Sequence, residues 1–425
     1  MRLTIPYGDG ELAFDLPEAN LQALVQPGCD PAEEQAPPSD PTGLDEQAEV
    51  RRALAMPIGA PPLAKLAATA ASAVIVVSDI TRPCPSYKFL PALLDELSAL
   101  PPEAITVLFA LGGHRKHSLD EQAQLVGEEV LARGVHLLDL DTDECVPFGT
   151  TSRGTRLEVF KPYLDADLRI GTGNIEYHYF AGFSGGAKAV VPGMCSHAAI
   201  RDNHSMMLAA TARAGILDGN PVREDIDEAG GMVGIDFLFN VILDEQKRII
   251  RAVAGHYLEA HRAGVEFYDR RCDLKVDQAA DVVIASPGGQ PKDINLYQAQ
   301  KTLDNVSGAV RDGGVVILAA RCQEGFGQAA FESWMLGMVT PQVLIDRIRR
   351  EFVLGGHKAA AIAGLLARVD VYLVSEFPDE VVRTMCMRPF PTVDAALADS
   401  LERLGSDARC LVVPYGNRVT ARREA

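Results

Sequence analysis

No stretch of the chain approaches the run of about 20 apolar residues that spans a bilayer, and the opening MRLTIPYGDG holds no signal-peptide core. A soluble protein of the cytoplasm, without a membrane partner, is the expectation. Positive charge is also short. Against 58 Asp and Glu stand 40 Lys and Arg, a formal charge of -18, and no basic patch interrupts it, which argues against nucleic acid as a partner. The 8 cysteines include no CxxC pair, so neither a structural zinc motif nor a secreted disulfide framework is present, and a reducing compartment fits. Two phosphate-binding motifs are missing as well. Lys188 lacks the neighbouring Gly and Ser/Thr of a P-loop, and Glu176 stands where a dinucleotide fingerprint opened by Gly171 and Gly173 needs glycine. Tryptophan occurs once, at Trp334.

What is present is a long chain rich in buried-strand patterns. At 425 residues, 47% of them hydrophobic, it exceeds one ordinary core, and two domains are expected. The segments RLTIPYG and ELAFDLP alternate around Asp9-Gly10, a hairpin signal. From Pro27 to Gln47 the composition turns to Pro, Asp and Glu without periodicity and reads as an irregular loop. Short apolar runs then alternate with helical spacing: Ala73 to Val77, Ala104 to Leu111, Val135 to Leu140, and Leu168 to Ile170. One intervening helix starts at Ser118 with Glu121 three residues on, a capping box. A second series runs through Asp281 to Ser286, Gly314 to Ala320, Val371 to Ser375 and Cys410 to Gly416, with Thr340 and Pro341 opening one of its helices. Such alternation specifies an α/β fold: two domains, each with a largely parallel sheet flanked by helices. The expected division is 1–272 and 273–425, with the active site in the cleft between them.

Ligands of open parallel sheets sit beyond the carboxyl ends of the strands, and the polar residues fall there. One strand runs into SDITRP with Asp79 and Arg82, the next into GGHR with His114, the fourth towards Asn174, Glu176 and His178. Alone, Asp79 and Arg82 would equally make a helix cap and a surface ion pair. His178, between aromatics, could be a core histidine. His117 reads as a solvated residue near a helix start, and His136, His256 and His261 as structure or surface. His197 and His204, seven apart, could share a helix face. In the second series Gln298 and Lys301 lie at i and i+3 after Pro287-Gly288-Gly289. Most unusual is Gly171 to Gly193, where Ser184, Gly185 and Gly186 precede Lys188. Such a turn lets backbone approach a ligand closely and leaves the lysine free to reach an anion or a carbonyl-type electrophile.

Taken together, SDITRP, LGGHRKHS, EYHYFAGFSGGAKAVVPG, DNHS and NLYQAQK resemble the nickel-pincer lactate racemase family over most of the chain. The resemblance implies a cofactor derived from nicotinic acid, the nickel-pincer nucleotide, tethered to Lys188 and supplied by cofactor-assembly enzymes. It implies His204 as a nickel ligand, and His114 and His178 as acid and base on opposite faces of a small 2-hydroxy acid. Asp79, Arg82, Gln298 and Lys301 fall on positions that orient substrate or catalytic groups. In that chemistry the hydroxyl loses its proton while hydride leaves the α-carbon, and a planar 2-keto acid takes both back on the other face. Histidine suits both roles near neutral pH. One departure stands out. GGHKAA, Gly355 to Ala360, occupies the region where the lactate enzyme carries a tryptophan, which predicts a substrate larger than lactate. From the residues alone two other readings stay open: a zinc hydrolase or hydro-lyase using His114, His178 and His204, and a non-catalytic binder of an acidic metabolite.

Overall fold

The strand Ala73–Ser78 is apolar from Ala73 to Val77 and buried over that whole stretch, because helices cover both faces of the sheet it centres. The computed structural model describes residues 1–25, 45–82, 84–112, 114–209, 211–244, 246–276, 278–351, 353, 355–417 and 420–423. Most of the loop expected over 27–47 lies outside the described residues, as do Pro83 and Gly113 of the quoted motifs.

Described residues from 45 to Asp269 form one compact unit. Its sheet has six strands in the order Ile249–Gly255, Phe237–Leu243, Leu168–Asn174, Ala73–Ser78, Ile105–Ala110, His136–Asp139. All neighbours are parallel except the first pair, which is antiparallel. The chain lays three strands in one direction and then returns to the other side of the first. The place where order reverses lies between Ala73–Ser78 and Leu168–Asn174, and a ligand crevice is expected outside that point. The helix Leu119–Val126 begins with the anticipated reciprocal cap of Ser118 and Glu121.

Residues up to 25 group instead with those from Arg270 onward. In this sheet all six strands are parallel, in the order Arg388–Pro389, Asp370–Val374, Val310–Ala319, Ala280–Ala285, Cys410–Val413, Leu21–Leu24. The hairpin Arg2–Tyr7 and Gly10–Asp15 buries Leu3, Ile5 and Phe14 against Val282, Ile284, Val315 and Ile317 of this sheet. The division therefore differs from 1–272 and 273–425, because the opening segment joins the later unit. Pattern alone announces a hairpin and leaves its destination open. The turn is shifted by one residue as well. Tyr7 pairs with Gly10, so Gly8 and Asp9 make the bend, with Gly8 at φ 55°. Thr340 opens the helix Pro341–Arg350, but its hydroxyl makes no capping bond. No helix among the described residues is long and apolar enough to cross a membrane.

Candidate active site

Two loops leave the carboxyl ends of neighbouring strands, and histidines tie them together. Ala73–Ser78 runs into Asp79, and Ile105–Ala110 turns at Gly112, φ 55°, towards His114. Asp79 is 3% exposed. Its Oδ1 accepts the Thr81 amide at 2.8 Å and the Thr81 hydroxyl at 2.5 Å, and its Oδ2 lies 2.6 Å from Nδ1 of His114. An imidazole nitrogen facing a carboxylate at that distance carries the proton. The lone pair is therefore on Nε2, on a side chain 44% exposed. Burial pushes the Asp79 carboxyl up, but hydrogen bonds from Thr81 and His114 outweigh it and hold it below the usual carboxylate range. Asp79 and His114 make an oriented base. Arg82 is exposed and, among the described residues, makes no ion pair, so the surface pair with Asp79 does not form.

His117 corrects the sequence reading, since its side chain is 1% exposed. Nδ1 donates to Asp139 Oδ1 at 2.7 Å, the His117 amide donates to Asp139 Oδ2 at 2.7 Å, and Nε2 accepts the Ile80 amide at 3.2 Å. The imidazole bridges the end of the third strand to the loop carrying Asp79. Its acceptor lies on a strand 22 residues away, so local sequence could not show the burial.

Across the reversal point, Leu168–Asn174 feeds the lysine loop. Ser184 turns its hydroxyl inward, donating to the Asn174 carbonyl at 2.7 Å and accepting the Glu176 amide at 2.9 Å. Gly185 and Gly186 have φ of 72° and 60°, and a Cβ would lie 2.6 Å from Asn240 Oδ1 at the first and 2.5 Å from Arg223 Nη2 at the second. Only glycine lets this backbone rest on its polar floor. Lys188 follows in the short turn Gly186–Ala189. Burial, then repulsion from Arg82 and Arg223, lowers its pKa well below 10.5, with Glu176 opposing. Such an amine is a nucleophile.

Phe180, which sequence reasoning passed over, is the centre of the arrangement. Its ring is buried; the Lys188 amine lies 5.6 Å from its centroid, the His178 ring 4.5 Å and the His204 ring 4.8 Å. The signal was the aromatic run Tyr177 to Phe180 beside the glycines. His178 also stacks on Tyr179, and its Nδ1 accepts the Ala181 amide at 3.2 Å, which puts the proton of the neutral ring on Nε2. His204 ends the helix His197–His204, with Nδ1 at 3.2 Å from Asn203 Oδ1. Asn203 is itself held by the buried Asp225, to which it donates at 2.8 Å. With Nδ1 donating, Nε2 is the nitrogen that could hold a metal. His197 is exposed.

Gln298 and Lys301 belong to the other unit, on the helix Leu296–Val306, whose cap Asn295 accepts the Gln298 amide at 3.0 Å. Lys301 is exposed and Gln298 half-buried. GGHKAA enters the helix Gly356–Leu366, and Trp334 is a core residue: a Cβ on Gly356 would lie 2.5 Å from its ring. Lys358, also missed, is buried with Nζ donating to the Tyr297 carbonyl at 2.7 Å; burial and then Lys301 push it down to about 7. A lysine amid AAAIAGLL was its trace in the sequence. Among the described residues no three His, Cys, Asp or Glu converge as a metal group, so His114, His178 and His204 do not make the three-ligand zinc site.

Residues 7–215 match the lactate racemase N-terminal domain and residues 276–421 the lactate racemase C-terminal domain. The chain is 34% identical to the lactate racemase of Thermoanaerobacterium thermosaccharolyticum, covering 99% of both chains. To that of Lactiplantibacillus plantarum it is 33% identical, covering 88% of this chain and 90% of the relative. The solved apoprotein of the Thermoanaerobacterium enzyme superposes with a TM-score of 0.87 at 33% identity, covering 99% of this chain and 100% of that one. A Thermotoga maritima protein, at 17% identity and TM-score 0.61 over 90% of this chain and 99% of its own, shares the fold.

Proposed function

We propose, because the chain belongs to the lactate racemase family, that this isomerase inverts the α-carbon of a 2-hydroxy acid, with a nickel-pincer nucleotide carried on Lys188. The observation that carries the reading is the half-buried Lys188 amine, its pKa lowered, on the same aromatic ring as His178 and His204. The residues fit the group. An amine with a lowered pKa suits acyl attachment, and His204, oriented through Asn203, offers nickel one nitrogen. When bound, the nucleotide supplies a reversible acceptor for the α-hydride.

The chain supplies the proton work. His114 presents an unprotonated Nε2 and His178 a protonated one, because their inner nitrogens face a carboxylate and an amide respectively. One enantiomer thus meets His114 as base, and His178 returns a proton on the opposite face from its imidazolium form, the two exchanging roles for the other enantiomer. Asp79 stabilises the imidazolium formed when His114 takes the hydroxyl proton. Arg82 holds the substrate carboxylate, and Gln298 and Lys301 orient substrate. With Trp334 in the core and alanines after Lys358, the substrate side chain is larger than the methyl of lactate.

Protein made together with the cofactor-assembly enzymes should carry added mass on the peptide containing Lys188, lost in Lys188→Ala. Alanine at His114 or His178 should lower inversion by about 10²–10⁴-fold with that mass retained. An active preparation with bare Lys188, or near-normal turnover in either histidine variant, would defeat the respective assignment.

A further inference from the structure

Beneath the lysine loop lies a set of buried polar side chains for which the proton chemistry has no use. Arg223, on the helix Pro221–Val233, is fully buried. Its Nη1 reaches the carbonyls of Phe183 at 3.3 Å and Gly185 at 3.4 Å. Its Nη2 pairs with Asp227 Oδ1 at 2.8 Å and lies 3.4 Å from Nδ1 of His261. His261 is also fully buried, with Nε2 at 2.8 Å from the Ser184 carbonyl. Since a carbonyl only accepts, Nε2 carries the proton and Nδ1 accepts from Arg223. Asn240, on the strand Phe237–Leu243, takes the Gly186 amide at 2.8 Å, while its own amide donates to the carbonyls of Gly173 and Phe239. Four consecutive residues, Phe183 to Gly186, each have a backbone group answered by a buried side chain from another part of the fold.

Simple filling of space does not need this. A buried guanidinium is costly even when paired, and an apolar side chain of similar volume would pack as well. The two glycines are the other half of the arrangement, since any Cβ at Gly185 or Gly186 strikes Asn240, Arg223 or His261. We infer that Arg223, His261 and Asn240 are positioning residues for cofactor attachment: they fix the backbone from Phe183 to Gly186 so that Lys188 presents its amine to an acyl electrophile in one orientation. This rests on the reading of Lys188 as the attachment residue. Arg223 has a second effect. Its fixed charge bears on the Lys188 amine in the same sense as Arg82 and against Glu176.

The test is competitive labelling of the full-length apoprotein with N-hydroxysuccinimidyl acetate across pH, read lysine by lysine by peptide mass spectrometry. In the labelling the Nζ–carbon bond forms as the hydroxysuccinimide leaves, and the amine proton passes to solvent. Lys188 should label with a midpoint below that of the exposed lysines. Arg223→Met should move the midpoint up, reducing labelling near neutral pH about tenfold for each unit moved. His261→Leu should lower the rate at every pH with little change of midpoint, and His261→Gln, which can still donate to the Ser184 carbonyl, should recover most of it. Folded Arg223→Met and His261→Leu proteins that label Lys188 as wild type does would overturn the inference. So would a Gln variant no better than the Leu one, since that is the mark of a merely structural role. Should Arg223→Met fail to fold, the His261 pair decides. No cofactor enters the experiment, so a bare Lys188 in loaded enzyme would count against the attachment reading and leave this result intact.

Discussion

Each titratable residue of the site is set by the atom that faces it. His114 and His178 both present Nε2 outward, yet with opposite protonation in the neutral ring, because Nδ1 of one meets Asp79 and Nδ1 of the other the Ala181 amide. His117 answers to both sides at once. His117→Leu would leave the Ile80 amide without its acceptor and Asp139 Oδ1 without its donor, a loss of about 1–3 kcal/mol for the buried group. A lower melting temperature and a lower kcat, with KM nearly unchanged, are expected, since the loop carrying Asp79 loosens; His117→Asn should recover part of both. Wild-type kcat in His117→Leu would show that the bridge does not hold Asp79. Lys188 makes the opposite case, a residue that costs stability. Its folded pKa is depressed, so as pH falls below about 10.5 the unfolded chain takes up a proton that the folded chain refuses. Stability is lost through that window and stays lost below it. Lys188→Met should therefore melt higher than wild-type apoprotein near neutral pH, by about 2–4 °C per kcal/mol recovered, with the difference shrinking as pH rises towards 10.5. Equal melting temperatures at both pH values would contradict the depressed amine.

At the scale of elements, the parallel strands were legible because a strand covered on both faces must be apolar throughout, as from Ala73 to Val77. The strand-end rule then pointed to Asp79, His114 and His178, and the glycine-rich turn to Lys188. What pattern could not carry is contact between distant elements. Arg223, Asn240 and His261 come from two helices and a strand, and nothing local marks them as the floor of the lysine loop. The same limit hid the burial of His117 and the joining of the hairpin to the later sheet. The loop is a single designed contact between glycines and that floor. Gly186→Ala places a methyl 2.5 Å from Arg223 Nη2 at φ 60°, and strain of about 1–3 kcal/mol is expected. Far-ultraviolet circular dichroism should stay close to wild type while attachment of cofactor mass to Lys188 falls sharply; undiminished attachment would show that the loop tolerates displacement.

For the whole molecule, two largely parallel sheets each leave polar residues at their carboxyl ends, and the family to which the chain belongs is that of the lactate racemases. Its full-length kinship to lactate racemases establishes the family and leaves the substrate side chain to this chain's own residues. Trp334 is taken up by the core against Gly356, and one mismatched methylene in a hydrophobic pocket is worth roughly 1–3 kcal/mol. The most direct measurement incubates cofactor-loaded protein, with its mass on Lys188 verified, with each single enantiomer from a series of 2-hydroxy acids and follows both enantiomers by chiral chromatography. Interconversion in both directions is expected, with kcat/KM higher for an acid larger than lactate and lost in His114→Ala and His178→Ala. A verified, loaded protein that inverts no member of the series would contradict it.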